Sequence, residues 1–168
     1  MAIHLSGLSL TYVLVGFARH GDTLPRKTEG EGLLHHAEDL TGINAALARY
    51  VDGVNQRDEA LWASSWDEEA QWCLFDPSPI CGRDAIVAAW LEAMKGFPFV
   101  IMHATQGHVA VDKDEAQGRS YTSEIAETAD GRHLRVWGCY EDRYRRCHGI
   151  WRFSSRIFSI MKSEDYQP

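Results

Sequence analysis

The sequence predicts an α+β domain in which three N-terminal helices pack on a curved antiparallel sheet and leave a conical hollow between the layers. Three observations carry this reading. Helical periodicity occupies residues 41–66 and 83–95, four strand-like runs fill residues 99–161, and short turn signals join those runs. Helices followed by strands is the order of a segregated two-layer fold rather than of alternating βαβ units.

Along the chain, the apolar run Leu5 to Ala18 comes first. It is shorter than the ~20 residues that span a bilayer. It has no basic flank and no clear small-x-small cleavage site, so it reads as a strand or arm rather than a signal peptide. Arg19 to Gly32 is rich in Gly, charge and Thr and reads as a linker. The chain therefore divides into an N-terminal extension, 1–32, and one domain, 33–168.

Thr41 is the expected N-cap of a helix whose Ile43, Ala46, Leu47, Tyr50, Val51 and Val54 keep the spacing of one buried face. Asp58 caps a second helix through Leu61, Trp62, Ser65 and Trp66. Gln71 to Phe75 reads as a short strand, and Asp76-Pro-Ser-Pro79 forces a loop. A third helix spans about Arg83 to Lys95 on a stripe of Ile86, Val87, Trp90, Leu91 and Met94, and is stopped by Gly96 and Pro98. Strands follow at Phe99–Val111, Ala116–Glu127, His133–Arg145 and Ile150–Met161. Asp130-Gly131 is the strongest hairpin signal, because Gly accepts positive φ without strain.

At 168 residues the chain is long enough to bury one core without staples. A net charge of -7, with no dense Lys/Arg cluster, argues against a nucleic-acid partner. Arg143, Arg145 and Arg146 read as the solvated edge of a hairpin turn. Cys73, Cys81, Cys139 and Cys147 show neither a Cys-x-x-Cys pair nor zinc spacing, so no metal is expected and free thiols of a reduced, cytoplasmic setting are. No membrane partner is expected either.

The helix block Tyr50 to Trp72, the strand opening Ile101-Met-His103 and the closing Tyr-Glu-x-x-Tyr…Gly-x-Trp-x-Phe pattern occur in compatible order. In these features the stretch from about Leu40 to Ile160 resembles the SnoaL-like branch of the nuclear transport factor 2-like superfamily, with its cystatin-like fold. Within the branch it is most similar to the hexachlorocyclohexane dehydrochlorinases and, more distantly, the scytalone dehydratases. The resemblance implies a cofactor-independent lyase, isomerase or cyclase acting on a hydrophobic small molecule, and a homo-oligomer, dimer or trimer. It places His103 as general base, Asn55 where those families carry the Asp that orients and charges it, and Arg156 where a cation meets the leaving group. Tyr50, Val54, Trp72, Thr122, Val136 and Tyr140 fall on wall positions.

Asn55 is a departure from that pattern, because an amide can fix a tautomer but carries no charge to stabilise an imidazolium. In the serine-protease triad the like change costs ~10⁴ in rate. Registering Gly118 with the family's glycine turns Thr122, Glu124 and Ala126 inward, which makes Glu124 a candidate second acid. Desolvation there would raise its pKa. Each residue also has a plainer reading. His103 could be a surface or core histidine, Glu124 an exposed strand charge, Arg156 a sheet-surface cation, and Trp62, Trp66, Trp72 and Trp90 simply core. His108 is expected to face away from His103, which would exclude a metal pair, and His35-His36 to face solvent. Asp52, Asp58 and Asp67 read as solvent or cap residues. Two other functions stay open: a ligand-binding module without chemistry, and an interaction domain that assembles through the open sheet face.

Overall fold

In the computed structural model the described residues are 27–74 and 78–166. Three helices precede four long strands, with two shorter strands between the helices. Helix α1 is Lys27–Gln56, α2 is Glu59–Ser64 and α3 is Arg83–Met94. Strands β1 (Trp66–Cys73), β2 (Ile80–Cys81), β3 (Phe99–Asp112), β4 (Glu115–Glu127), β5 (His133–Cys147) and β6 (Ile150–Tyr166) form one sheet in the order β2-β1-β6-β5-β4-β3. Every pairing is antiparallel except β1 with β6. Among the described residues, no helix is long and apolar enough to cross a membrane.

The helices cover one face of this sheet. Ile43, Ala46, Leu47, Tyr50 and Val54 of α1 are buried at the three/four spacing the sequence predicts. They meet alternate residues of the strands: Met102 of β3, Tyr140 and Tyr144 of β5, and Trp151 and Phe153 of β6. Asp58 caps α2, its Oδ1 accepting from the Leu61 amide at 2.9 Å. The hairpin between β4 and β5 turns at Gly131, whose φ of 82° matches the Asp130-Gly131 signal. His148 and Gly149, both at positive φ, form the two-residue turn between β5 and β6.

Several elements differ from expectation. Helix α1 runs back to Lys27, so residues 27–32 are helix rather than linker, and Thr41 is no cap. Its hydroxyl donates to the Ala37 carbonyl one turn back, at 2.8 Å. Tertiary contacts hold this half of the helix. Asp39 takes an ion pair from Arg146 and accepts from the Trp151 indole at 3.2 Å, while Arg146 also bonds Asp114 at 2.8 Å. The expectation of a solvated Arg146 fails for the same reason.

Strand β1 begins at Trp66 rather than Gln71: Trp66 pairs with Phe153 of β6, and the acidic stretch after it runs out of register until pairing resumes at Gln71. Asp67 in this stretch, read as a solvent or cap residue, is buried and pairs with Arg145 of β5 at 3.4 Å. The two-residue strand β2 has no counterpart in the sequence reading. The run Leu5 to Ala18, residues 19–26 and residues 75–77 lie outside the described residues.

Candidate functional site

Alternation along the strands sets which side chains face the helices. On β4 these are Ala116, Ser120, Thr122, Glu124 and Ala126; on β5, Val136, Gly138, Tyr140, Asp142 and Tyr144. Arg156 and Phe158 join them from β6 and Tyr50 from α1. The centre of this inner face is filled by a polar cluster wrapped in aromatic rings.

Arg156 is its hub and has no exposed surface. Its Nε donates to Asp142 Oδ1 at 2.8 Å, and its Nη2 donates to Ser120 Oγ at 2.7 Å. Ser120 Oγ in turn donates to Asp142 Oδ2 at 2.7 Å. The guanidinium lies 3.8 Å from the Tyr140 ring, 4.0 Å from Phe153 and 4.2 Å from Tyr50. Burial works against its charge, but Asp142 more than offsets this and its pKa is raised. Nη1 is sealed from solvent without a partner. Tyr50 and Tyr140 face each other with hydroxyls 3.2 Å apart, and burial raises the pKa of both.

Glu124 stands beside this cluster, half-buried, between Met102 on β3 and Val136 on β5. Its pKa is raised, chiefly by burial, against smaller opposing pulls from the Thr122 hydroxyl and the Arg156 cation. It is the titratable carboxyl of the inner face that still reaches solvent; Asp142 is fully enclosed with Arg156.

The expected imidazole–amide pair is not assembled. His103 is exposed, on the face of β3 opposite Met102. Asn55 is engaged with the β3 backbone: its Nδ2 donates to the Met102 carbonyl at 2.9 Å and its Oδ1 accepts from the Met102 amide at 2.7 Å. Val100, Met102 and Ala104 pack on the core, so the pleat sends His103 outward. A bulge between Gln106 and Val109 then resets the alternation, and His108 is exposed as well. The expected opposition of the two histidines is therefore lost. Tyr50, Val54 and Trp72 are core residues at 2 to 3% exposure rather than residues of an open wall.

Asp142 and Ser120 are the members of the cluster that sequence reasoning missed. Both were within reach of it, since Asp142 lies two residues beyond Tyr140 and Ser120 two before Thr122, on the same faces. Among the described residues, no group of three His, Cys, Asp or Glu is placed to hold a metal ion. A wide groove of ≈ 530 Å³ lies on the other side of the sheet, lined by His108, Arg119, Tyr121, Arg143 and Ile157 among others. Apart from Asp142, which belongs to the buried cluster, its titratable side chains are exposed, which makes the inner face the better candidate for chemistry.

The SnoaL-like domain family matches residues 35–157. No curated protein sequence matches the chain. Among solved structures, a type 2 hexachlorocyclohexane dehydrochlorinase (LinA) is 19% identical with a TM-score of 0.73, over 80% of this chain and 93% of that one. A candidate scytalone dehydratase from Novosphingobium aromaticivorans is also 19% identical, TM-score 0.73, over 81% and 93%. A variant of a protein of unknown function from Mycobacterium tuberculosis is 25% identical, TM-score 0.65, over 77% and 76%.

Proposed function

The chain belongs to the SnoaL-like family, and from that premise we propose a cofactor-independent enzyme that moves a proton on a hydrophobic small molecule, with Glu124 as acid and base. Lyase, isomerase and cyclase chemistry all fit this description. The observation that carries the reading is the place of Glu124: on the helix-covered face, walled by Met102 and Val136, deep enough for burial to raise its pKa while the side chain keeps partial solvent exposure. Such a carboxyl is a stronger base when ionised, and donates at higher pH, than one on the surface. Arg156, enclosed and without surface of its own, would favour developing negative charge at Glu124 through its field rather than by contact. In this reading His103, turned to solvent, and Asn55, held by the Met102 backbone, take no part in the chemistry.

A second reading, a binding protein of the same shape, is favoured by one fact. The cation is already neutralised by Asp142 and caged by three rings, as suits a structural core. Deuterium uptake separates the two. The protein is incubated in D₂O with a panel of apolar molecules carrying acidic C–H bonds, and products are weighed by mass spectrometry. Exchange that falls by ~100-fold or more in Glu124→Gln supports the enzyme. Retention of a ligand in native mass spectrometry without exchange or conversion supports the binder. The assembly expected from the resemblance would use the exposed Tyr121, Ile157 and Met161, and light scattering on the purified protein tests it.

A further inference from the structure

Building on the reading of Glu124 as the proton-transferring group, we propose that Thr122 is its positioning residue: the Thr122 hydroxyl closes on the carboxylate whenever Glu124 is without its proton. Thr122 and Glu124 are two apart on β4 and share the inner face. Thr122 is 4% exposed, and its Oγ1 is sealed from water with no partner at hydrogen-bond geometry. A buried hydroxyl of that kind is a spare donor, and native interiors rarely leave one unused.

The surroundings leave few acceptors. Across β3 the facing residue is Ala104, which offers a methyl group. Across β5 it is Gly138, and the Phe158 ring occupies the space a side chain would take. A Cβ at position 138 would stand 2.1 Å from that ring and 3.1 Å from Thr122 Oγ1, so the ring presses toward the hydroxyl from this side. Ser120, the other neighbour on the strand, already donates to Asp142 and accepts from Arg156. Glu124 is the remaining side-chain acceptor beside Thr122 on its own strand.

The charged and titratable groups on this face are Arg156 from β6, Asp142, Tyr140 and Tyr144 from β5, and Tyr50 from α1; the Tyr144 hydroxyl donates to Gln106 and Asp142. Asp142 and Arg156 neutralise each other, and Tyr50 and Tyr140 are occupied with one another. The direction of the electrostatics agrees: the Thr122 hydroxyl favours ionised Glu124, against burial. Apart from the Glu124 O–H bond, whose proton passes to and from substrate or solvent, this hydrogen bond is the one made and broken. The hydroxyl turns toward the carboxylate when the proton leaves and is released when it returns.

The test reads Glu124 directly, in protein carrying ¹³C at glutamate carboxyl carbons, with the resonance assigned through Glu124→Gln. Thr122→Val keeps the branched volume and removes the donor. It is expected to raise the Glu124 titration midpoint by about one to two pH units, the worth of a hydrogen bond to a charged group. Thr122→Ser is expected to restore the wild-type midpoint, and the pH profile of deuterium exchange should move with it. A midpoint unchanged in Thr122→Val, or not restored by Thr122→Ser, overturns the proposal. Should Thr122→Val fail to fold, Thr122→Ala carries the same expectation. If the midpoint moves but Glu124→Gln retains full exchange, positioning stands and the proposed enzyme falls.

Discussion

A single step of strand phase separates the polar side chain that meets the interior from the one that meets water. On β3, apolar Val100, Met102 and Ala104 mark the inward phase, so the intervening His103 points out. That phase is present in the sequence, but the motif match centred on the histidine points the other way. Accordingly, His103→Ala should leave deuterium exchange unchanged, and a loss of ten-fold or more would restore the imidazole to the mechanism. The inward phase of Glu124 was legible by registering Gly118 with the family's glycine and stepping by two along β4, and the burial of Ser120, Thr122 and Ala126 follows the same phase. Its raised pKa also has a thermodynamic signature. The folded chain holds this proton more tightly than the unfolded one, so the contribution to stability is complete below the ordinary carboxylate range. It is lost as pH rises from there through the raised folded value. Urea denaturation from about pH 4 to pH 8 should show Glu124→Gln gaining on the wild type across that window. A constant difference would mean that Glu124 titrates like a surface carboxylate.

Between elements, Asn55 does for stability what its position suggested it might do for chemistry. Both of its amide atoms bond the Met102 backbone and so tie the end of α1 to the start of β3. Asn55→Ala should cost about 1–3 kcal/mol, the worth of two part-buried hydrogen bonds, read from urea midpoints. Asn55→Asp keeps the acceptor for the Met102 amide but sets a carboxylate against the Met102 carbonyl, so it should be destabilising despite its shape. An Asp variant as stable as the wild type would remove this account of the residue. The long strands, α3 and the Asp58 cap were readable because local signals decide them: apolar alternation, a capping side chain, Gly at a turn. The first half of α1 was not. Its helical state rests on Asp39 meeting Arg146 and Trp151, more than a hundred residues away in sequence, and composition near Gly30 and Gly32 argues the other way.

For the molecule as a whole, the buried Asp142–Arg156 pair is the largest electrostatic commitment. Neither side chain has exposed surface, and each is the other's counter-charge. Asp142→Leu or Arg156→Met alone should destabilise by about 3–5 kcal/mol, because each strands the opposite charge. The double substitution should cost less than the sum, and a double-mutant cycle in urea measures the difference. Strict additivity would mean that the two groups are not coupled. The two-layer plan was visible in the order of helices and strands, but the pair was not: Arg156 was placed by resemblance, and nothing local marks Asp142 as its partner. The parallel contact between β1 and β6 escaped for a similar reason, since no short-range pattern links Trp66 to Phe153. That contact governs how the protein can be made. On a ribosome, β1 and β2 emerge well before the strand that receives them, and Trp66 and Trp72 have no sheet to join until β6 appears. A nascent chain halted short of Ile150 would present those indoles to chaperones, and removing β6 would detach β1 and β2 from the sheet along with it.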